Sequence, residues 1–235
     1  MRGVKVTLCG VKVLTRRFVP VATSMYHCVQ NENAMRPREF DEEIVANAVM
    51  RAFWRNGYAA TSMNDLVDVT GLSRSTIYSS FGGKKKLFEL ALHEYHKITA
   101  GNVAIFSQAV SVHDAVRTLL NAIVDDELKD SEGLGCLAAN SSLELAGRDS
   151  ELTALVAEHF ARLEKCLVRA FKHGQQVGEL APDVDCQALA DYFIAVIQGI
   201  RVVSKGLPKG NKKKHLSNIV NVAVGSIRLA VDGLR

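Results

Sequence analysis

From Asp41 onward the apolar positions recur at helical spacing. Val45, Ala48, Val49, Ala52 and Phe53 fall at i, i+3, i+4, i+7 and i+8, one stripe of a helix. Asp41, Glu42 and Glu43 occupy its first turn, where carboxylates suit the positive helix end, and Asn56-Gly57 stops it. A second short helix opens at Thr61-Ser62, with Asp65 completing a variant capping box and Met63, Leu66, Val67 and Val69 forming its buried side. Thr70-Gly71-Leu72 makes a tight turn. Ser73 then caps a third short helix that runs through Ser80, until Gly82-Gly83 breaks the chain again.

A long helix is predicted from Lys84 to about Phe106, with Leu87, Leu90, Ala91 and Tyr95 on one face. Five more follow, over roughly 112–129, 134–146, 149–176, 185–205 and 211–233, separated by polar or glycine-bearing breaks. β-branched alternation is rare after residue 40 and there are four prolines, so the fold class expected is all-α.

Two short helices joined by a glycine-bearing turn form a helix-turn-helix, whose second helix enters the DNA major groove. The side chains on that second helix suit the role. Arg74 can donate to guanine edges or phosphate, and Ser75, Thr76 and Ser79 are small enough to let the backbone approach the bases. Tyr78 offers a hydroxyl to phosphate, while Ile77 and Phe81 point inward. The spacing of Ala48 to Phe53, Gly57-Tyr58, Thr61-Ser62, Leu66, Gly71-Leu72-Ser73, Thr76-Ile77-Tyr78, Phe81, Lys84 and Leu87-Phe88 resembles the amino-terminal domain of the TetR/AcrR family. That resemblance implies a three-helix DNA-binding domain with a helix-turn-helix, followed by a six-helix ligand-binding and dimerisation domain. It implies phosphate contacts from Thr61, Tyr78 and Lys84, and a base-facing set of Arg74, Ser75, Thr76 and Ser79. The family often carries Pro or Gly and then Ser or Asp before the lysine; here Gly82-Gly83 precedes Lys84-Lys85-Lys86, a looser and more basic junction.

Charge changes this picture only locally. The formal charge is +4, but residues 1–34 hold five basic residues against Glu32 alone, which leaves the remainder balanced. DNA affinity must therefore come from where individual Lys and Arg sit. Residues 1–34 make a poor signal peptide, lacking a continuous apolar stretch before a small-residue cleavage site. Met35 reads as the working start, with 1–34 a flexible or non-native N-terminal extension; a basic arm entering the minor groove is the functional alternative. The domain reading is then 1–34 extension, 35–83 DNA-binding domain and 84–235 ligand-binding and dimerisation domain. No apolar run approaches the roughly 20 residues of a membrane span, so no membrane partner is expected. Five scattered cysteines fit neither a zinc site nor a disulfide framework, and a reducing cytoplasm suits them.

Nothing after residue 98 offers catalysis: GxSxG, GxGxxG and HExxH are all absent. His93 and His96 lie three apart without further ligands, so no metal, cofactor or catalytic residue is expected. Gly135-Cys136-Leu137, with Asn140 and Glu144, resembles a segment in a branch of TetR-like regulators, some of which sense electrophiles or oxidants through that cysteine. Cys136 also falls near a helix start, whose positive dipole end favours a reactive thiolate. A buried, inert cysteine is the alternative. Lys205 is a cation that can fold back toward it, a pairing that sequence alone does not place. The last two helices carry wide apolar stripes, from Leu189, Tyr192, Phe193, Val196, Ile197 and Ile200 to Ile219, Val222, Ala223, Ile227 and Ala230. In the family such helices pair across a two-fold axis, which suits a pseudo-palindromic operator. The expected function is a cytoplasmic, homodimeric, operator-binding regulator of double-stranded DNA, a repressor released by a small molecule or electrophile. A cysteine-based redox or electrophile sensor, an all-α enzyme and a sequence-independent DNA or membrane-surface binder are the rivals.

Overall fold

The computed structural model describes residues 40–232, which form nine α-helices and no strand. The order is α1 Glu42–Asn56, α2 Met63–Thr70, α3 Arg74–Phe81, α4 Lys84–Gln108, α5 Val112–Lys129, α6 Leu137–Leu145, α7 Ser150–Gln176, α8 Cys186–Gly206 and α9 Lys209–Asp232. The extension assigned to residues 1–34 lies outside the described residues.

Caps set the early boundaries. Asp41 accepts the Glu43 and Ile44 N–H groups at the start of α1, and Ser62 with Asp65 closes a reciprocal capping box on α2. Ser73 accepts the Thr76 N–H on α3. Eight residues are too few for an independently stable helix, so α3 depends on packing. Ile77, fully buried, anchors it, a burial worth roughly 1.5–3 kcal/mol.

The predicted helices are present, with local corrections. On α1 the buried stripe takes in Ala46 and Met50, whereas Ala48 is only half-buried. On α2 Leu66 alone is fully buried and Val69 is 45% exposed, because the helix rests on α1 along a narrow line. Helix α6 starts at Leu137, later than the expected 134: Asp130 accepts the Gly135 N–H and Asn140 donates to the Leu134 carbonyl, holding 130–136 as a folded loop.

Two apolar cores organise the described residues. One gathers Val49, Phe53, Leu66, Ile77, Leu87 and Phe88 together with Leu137, Leu145, Leu152 and Val156, so α1–α4 share their interior with α6 and the start of α7. The other joins α5, the end of α7, α8 and α9 through Leu119, Leu120, Phe171, Phe193, Ile197 and Val220. Helix α8 is long and apolar enough to cross a membrane, contrary to what the apolar runs suggest. Its Phe193, Ile197 and Ile200 lie inside that second core.

Candidate nucleic-acid interface and effector cavity

Helix α3 turns Ile77 inward and leaves Arg74, Ser75, Tyr78 and Ser79 exposed, with Thr76 half-buried. Tyr78 is 54% exposed, too open for a core aromatic. The Arg74 guanidinium is steadied by Asn64 of α2, whose side-chain oxygen accepts from Nη2 at 2.9 Å. Ser73 Oγ lies 2.8 Å from both Ser75 Oγ and Thr76 Oγ1, so the start of the helix presents three clustered hydroxyls. The sequence-derived recognition set is therefore brought together on one exposed helix.

The flanking residues differ. Thr61 is fully buried and donates its hydroxyl to the Gly57 carbonyl at 2.6 Å. Its hydroxyl is spent on tying off the end of α1, and its side chain is not presented at the surface beside Tyr78. Lys84, at the start of α4, donates to the Ala59 carbonyl at 3.3 Å and stands over the Tyr58 ring at 4.5 Å. Partial burial pulls its ammonium below the usual lysine range, against the pull of Glu144 and Asp65. Lys85 pairs with Glu151 of α7 and with Asp149, its N-cap, and Lys86 with Glu89.

One contact across the shared core was not expected from sequence. Glu144 of α6 accepts the Tyr58 N–H at 2.8 Å through Oε2 and the Ala59 N–H through Oε1. The turn between α1 and α2 is thus held by a carboxylate from the larger domain. Gly57 makes room for it: a Cβ there would lie 2.8 Å from Glu144 Oε2, and its φ of +83° disfavours any side chain.

Cys136 is the N-cap of α6, where Sγ accepts the Ala139 N–H at 3.4 Å, and it is 3% exposed. Lys205 does fold back: Nζ donates to the Leu134 carbonyl at 3.0 Å, and its end packs against Gly135, where a Cβ would sit 2.5 Å from Lys205 Cε. Burial chiefly, with Cys136 nearby, holds the Tyr95 phenol well above its usual range. Cys166 and Cys186 are buried as well. Cys9 and Cys28 lie outside the described residues.

A cavity of about 350 Å³ opens beside this segment, within the range of small-molecule sites. Trp54 of α1, Tyr95, Ile98, Thr99 and Asn102 of α4, Asp126, Glu127, Lys129 and Asp130, Leu134 and Gly135, and Arg201 of α8 line it. The buried Arg201 donates to Glu127 at 3.1 Å, and Ser204 donates to the other Glu127 oxygen. Sequence reasoning missed this pair. Its signal was a charge on each of two core-facing stripes, Glu127 four residues after Ile123 and Arg201 beside Ile200. His96 stacks on His159 of α7, not on His93, with ring centroids 5.1 Å apart. Burial first, then His96, Arg201 and Arg162, push the His159 imidazole down to about 4. Among the described residues no group of three or more His, Cys, Asp or Glu is placed to hold a metal.

An exposed helix-turn-helix carried on an all-α fold defines a DNA-binding transcriptional regulator. Residues 46–91 match the bacterial regulatory proteins, tetR family, and residues 113–218 match the tetracyclin repressor-like C-terminal domain. The HTH-type transcriptional repressor ComR of Escherichia coli (strain K12) is 28% identical over 211 residues, 89% of this chain and 97% of ComR. The uncharacterized HTH-type transcriptional regulator YezE of Bacillus subtilis (strain 168) is 34% identical over 167 residues, 67% of this chain and 82% of YezE. The fold matches a cysteine mutant of the TetR family transcriptional regulator CifR complexed with 26-bp double-strand operator DNA, with a TM-score of 0.71 at 24% identity, covering 79% of this chain and 98% of CifR. The chain belongs to the TetR family of bacterial transcriptional regulators, and these relatives are regulators rather than enzymes.

Proposed function

We propose that the protein is a cytoplasmic, homodimeric repressor that binds a pseudo-palindromic operator through α3 and leaves it when a small molecule fills the cavity beside Trp54 and Arg201. The observation that carries this reading is the face of α3: Arg74, Ser75, Tyr78 and Ser79 exposed together, while Ile77 locks the opposite side into the core. Arg74 and the hydroxyls of Ser75, Thr76 and Ser79 read bases, and Tyr78 and Lys84 hold phosphates. Residues 35–83 serve as the DNA-binding domain and 84–235 as the ligand-binding and dimerisation domain. Tyr192, Val202 and Val203 of α8 and Val222 of α9 are exposed apolar residues suited to pairing with a second copy.

Transmission follows from which helices share the cavity wall. Helix α4 runs from the recognition unit into the wall, α1 contributes Trp54 to it, and α6 reaches back through Glu144. A ligand that shifts these helices moves the α1–α2 turn, and a coupling of about 1–3 kcal/mol changes operator affinity roughly 5–150-fold. Selection of bound duplexes from a random library tests the reading. Inverted half-sites about one helical turn apart are expected for a two-fold dimer; recovery of no common sequence refutes it.

Release by attack of an electrophile on Cys136 is the second reading, supported by its place at the start of α6 and by Lys205, whose ammonium binds the Leu134 carbonyl two residues before the cysteine. Burial of Sγ favours the reversible ligand instead. With hypochlorite or a mild electrophile, wild type and Cys136→Ser are expected to leave DNA equally; release lost only in the variant establishes the cysteine sensor.

A further inference from the structure

The single tryptophan of the chain is Trp54. It belongs to α1 of the recognition unit, yet it lines the cavity of the larger domain. Its Nε1–H is buried and has no hydrogen-bond partner. A buried donor without an acceptor is unfavourable, and an acceptor carried by a ligand relieves it.

The rest of the lining specifies the ligand's polarity. Its buried carboxylate is engaged, Arg201 and Ser204 taking the two Glu127 oxygens, while the Asp126 carboxylate is exposed to solvent. The N–H groups of Glu132 and Gly135 take the carboxylate oxygens of Asp130, and Lys205 and Asn140 take the Leu134 carbonyl. Donors remain. Trp54 offers its indole N–H, and Glu127 engages Nη1 of an Arg201 guanidinium that carries five N–H groups. The charged lining residues are Asp126, Glu127 and Asp130 against Lys129 and Arg201, so the wall is net negative by one and gives an anion no electrostatic gain. Trp54 and Tyr95 meet edge to face at 5.0 Å, and with Ile98 and Leu134 they supply flat apolar walls.

We infer that this cavity selects a neutral, planar aromatic molecule bearing a carbonyl-type acceptor, whose oxygen receives the Trp54 N–H. The inference rests on the reading of this cavity as the effector site and adds the chemical class of the effector. It also makes Trp54 the point at which ligand touches the recognition unit, because the same side chain belongs to α1.

The test uses the full chain and three probes of one shape: 2-acetylnaphthalene, 2-ethylnaphthalene and 2-naphthoate. Affinities are measured by equilibrium dialysis for wild type and Trp54→Phe, which keeps an aromatic ring and removes the donor. The ketone is expected to bind wild type about tenfold more tightly than the hydrocarbon, the difference a retained hydrogen bond makes. Trp54→Phe should remove most of that preference and leave the hydrocarbon's affinity within about twofold. The single indole N–H resonance of the ¹⁵N-labelled wild type is an independent readout: it should move downfield with the ketone and not with the hydrocarbon, whatever the variant's folding. Equal affinity for ketone and hydrocarbon, or an unmoved indole resonance, overturns the donor assignment and leaves the cavity as effector site. Tighter binding of naphthoate overturns it in favour of an anion site. Binding of none of the three overturns the effector reading itself.

Discussion

Glu144→Ala removes the one carboxylate that joins α6 to the α1–α2 turn. Two backbone donors lose their acceptor. Ala59 is exposed and water replaces its lost bond, whereas the Tyr58 N–H is half-buried and its bond is not fully replaced. Hydrogen bonds to charged groups contribute about 1.5–3 kcal/mol, so a net loss near the middle, about 2 kcal/mol, is expected. For a chain of this size that lowers Tm by roughly 4–8 °C. Gly57→Ala attacks the same contact from the other side, because its Cβ would crowd Glu144 Oε2 at 2.8 Å. The two changes should therefore be non-additive: in the Glu144→Ala background Gly57→Ala retains only its backbone strain, of order 1 kcal/mol. Thermal and urea unfolding of the four proteins measures the cycle. Strict additivity, or a Glu144→Ala protein as stable as wild type, refutes the account of this contact.

Arg74→Ala should weaken binding to the selected operator by about 1–3 kcal/mol while leaving Tm unchanged, since Arg74 is exposed and its bond is to the side chain of Asn64; gel shift beside thermal melting checks both. His159, held at about 4 when folded, titrates near 6.5 when unfolded. Its neutral form is the folded one, so stability is full above about pH 6.5 and falls as the pH drops toward 4, by roughly 3 kcal/mol in all. Urea titrations at pH 7.5, 5.5 and 4.5 should show that slope reduced in His159→Phe. Arg201→Met leaves Glu127 buried without its cation and should cost about 3–5 kcal/mol, most of it recovered in the Arg201→Met/Glu127→Leu double variant; unfolding free energies decide.

The local elements were legible because local chemistry makes them. Asp41, Ser62 and Ser73 announce three helix starts, and the structure uses each as a side-chain cap. The recognition helix was legible for the same reason, since its exposed residues follow one helical face about Ile77. Where burial or a partner is set by tertiary packing, the reading failed or stopped short. Thr61 looked like a surface residue, yet it is fully buried and its hydroxyl binds the Gly57 carbonyl four residues back. Val69 matched a buried period yet faces solvent, because nothing packs on that side of α2. Glu144 meets a turn 85 residues away, and Glu127 meets a guanidinium 74 residues away. Neither pairing leaves a periodic trace, so the cavity and its link to α1 emerged only from the three-dimensional arrangement.

The central claim is sequence-specific, two-fold recognition of DNA through α3. Its most direct measurement is fluorescence anisotropy of the selected operator and of a scrambled duplex across a series of salt concentrations, with stoichiometry read at saturation. The account predicts two chains per site, an affinity for the operator at least about 10³-fold above that for the scrambled duplex, and binding that weakens steeply with salt as phosphate contacts are lost. Equal affinity for the two duplexes, with a single chain bound, would contradict it.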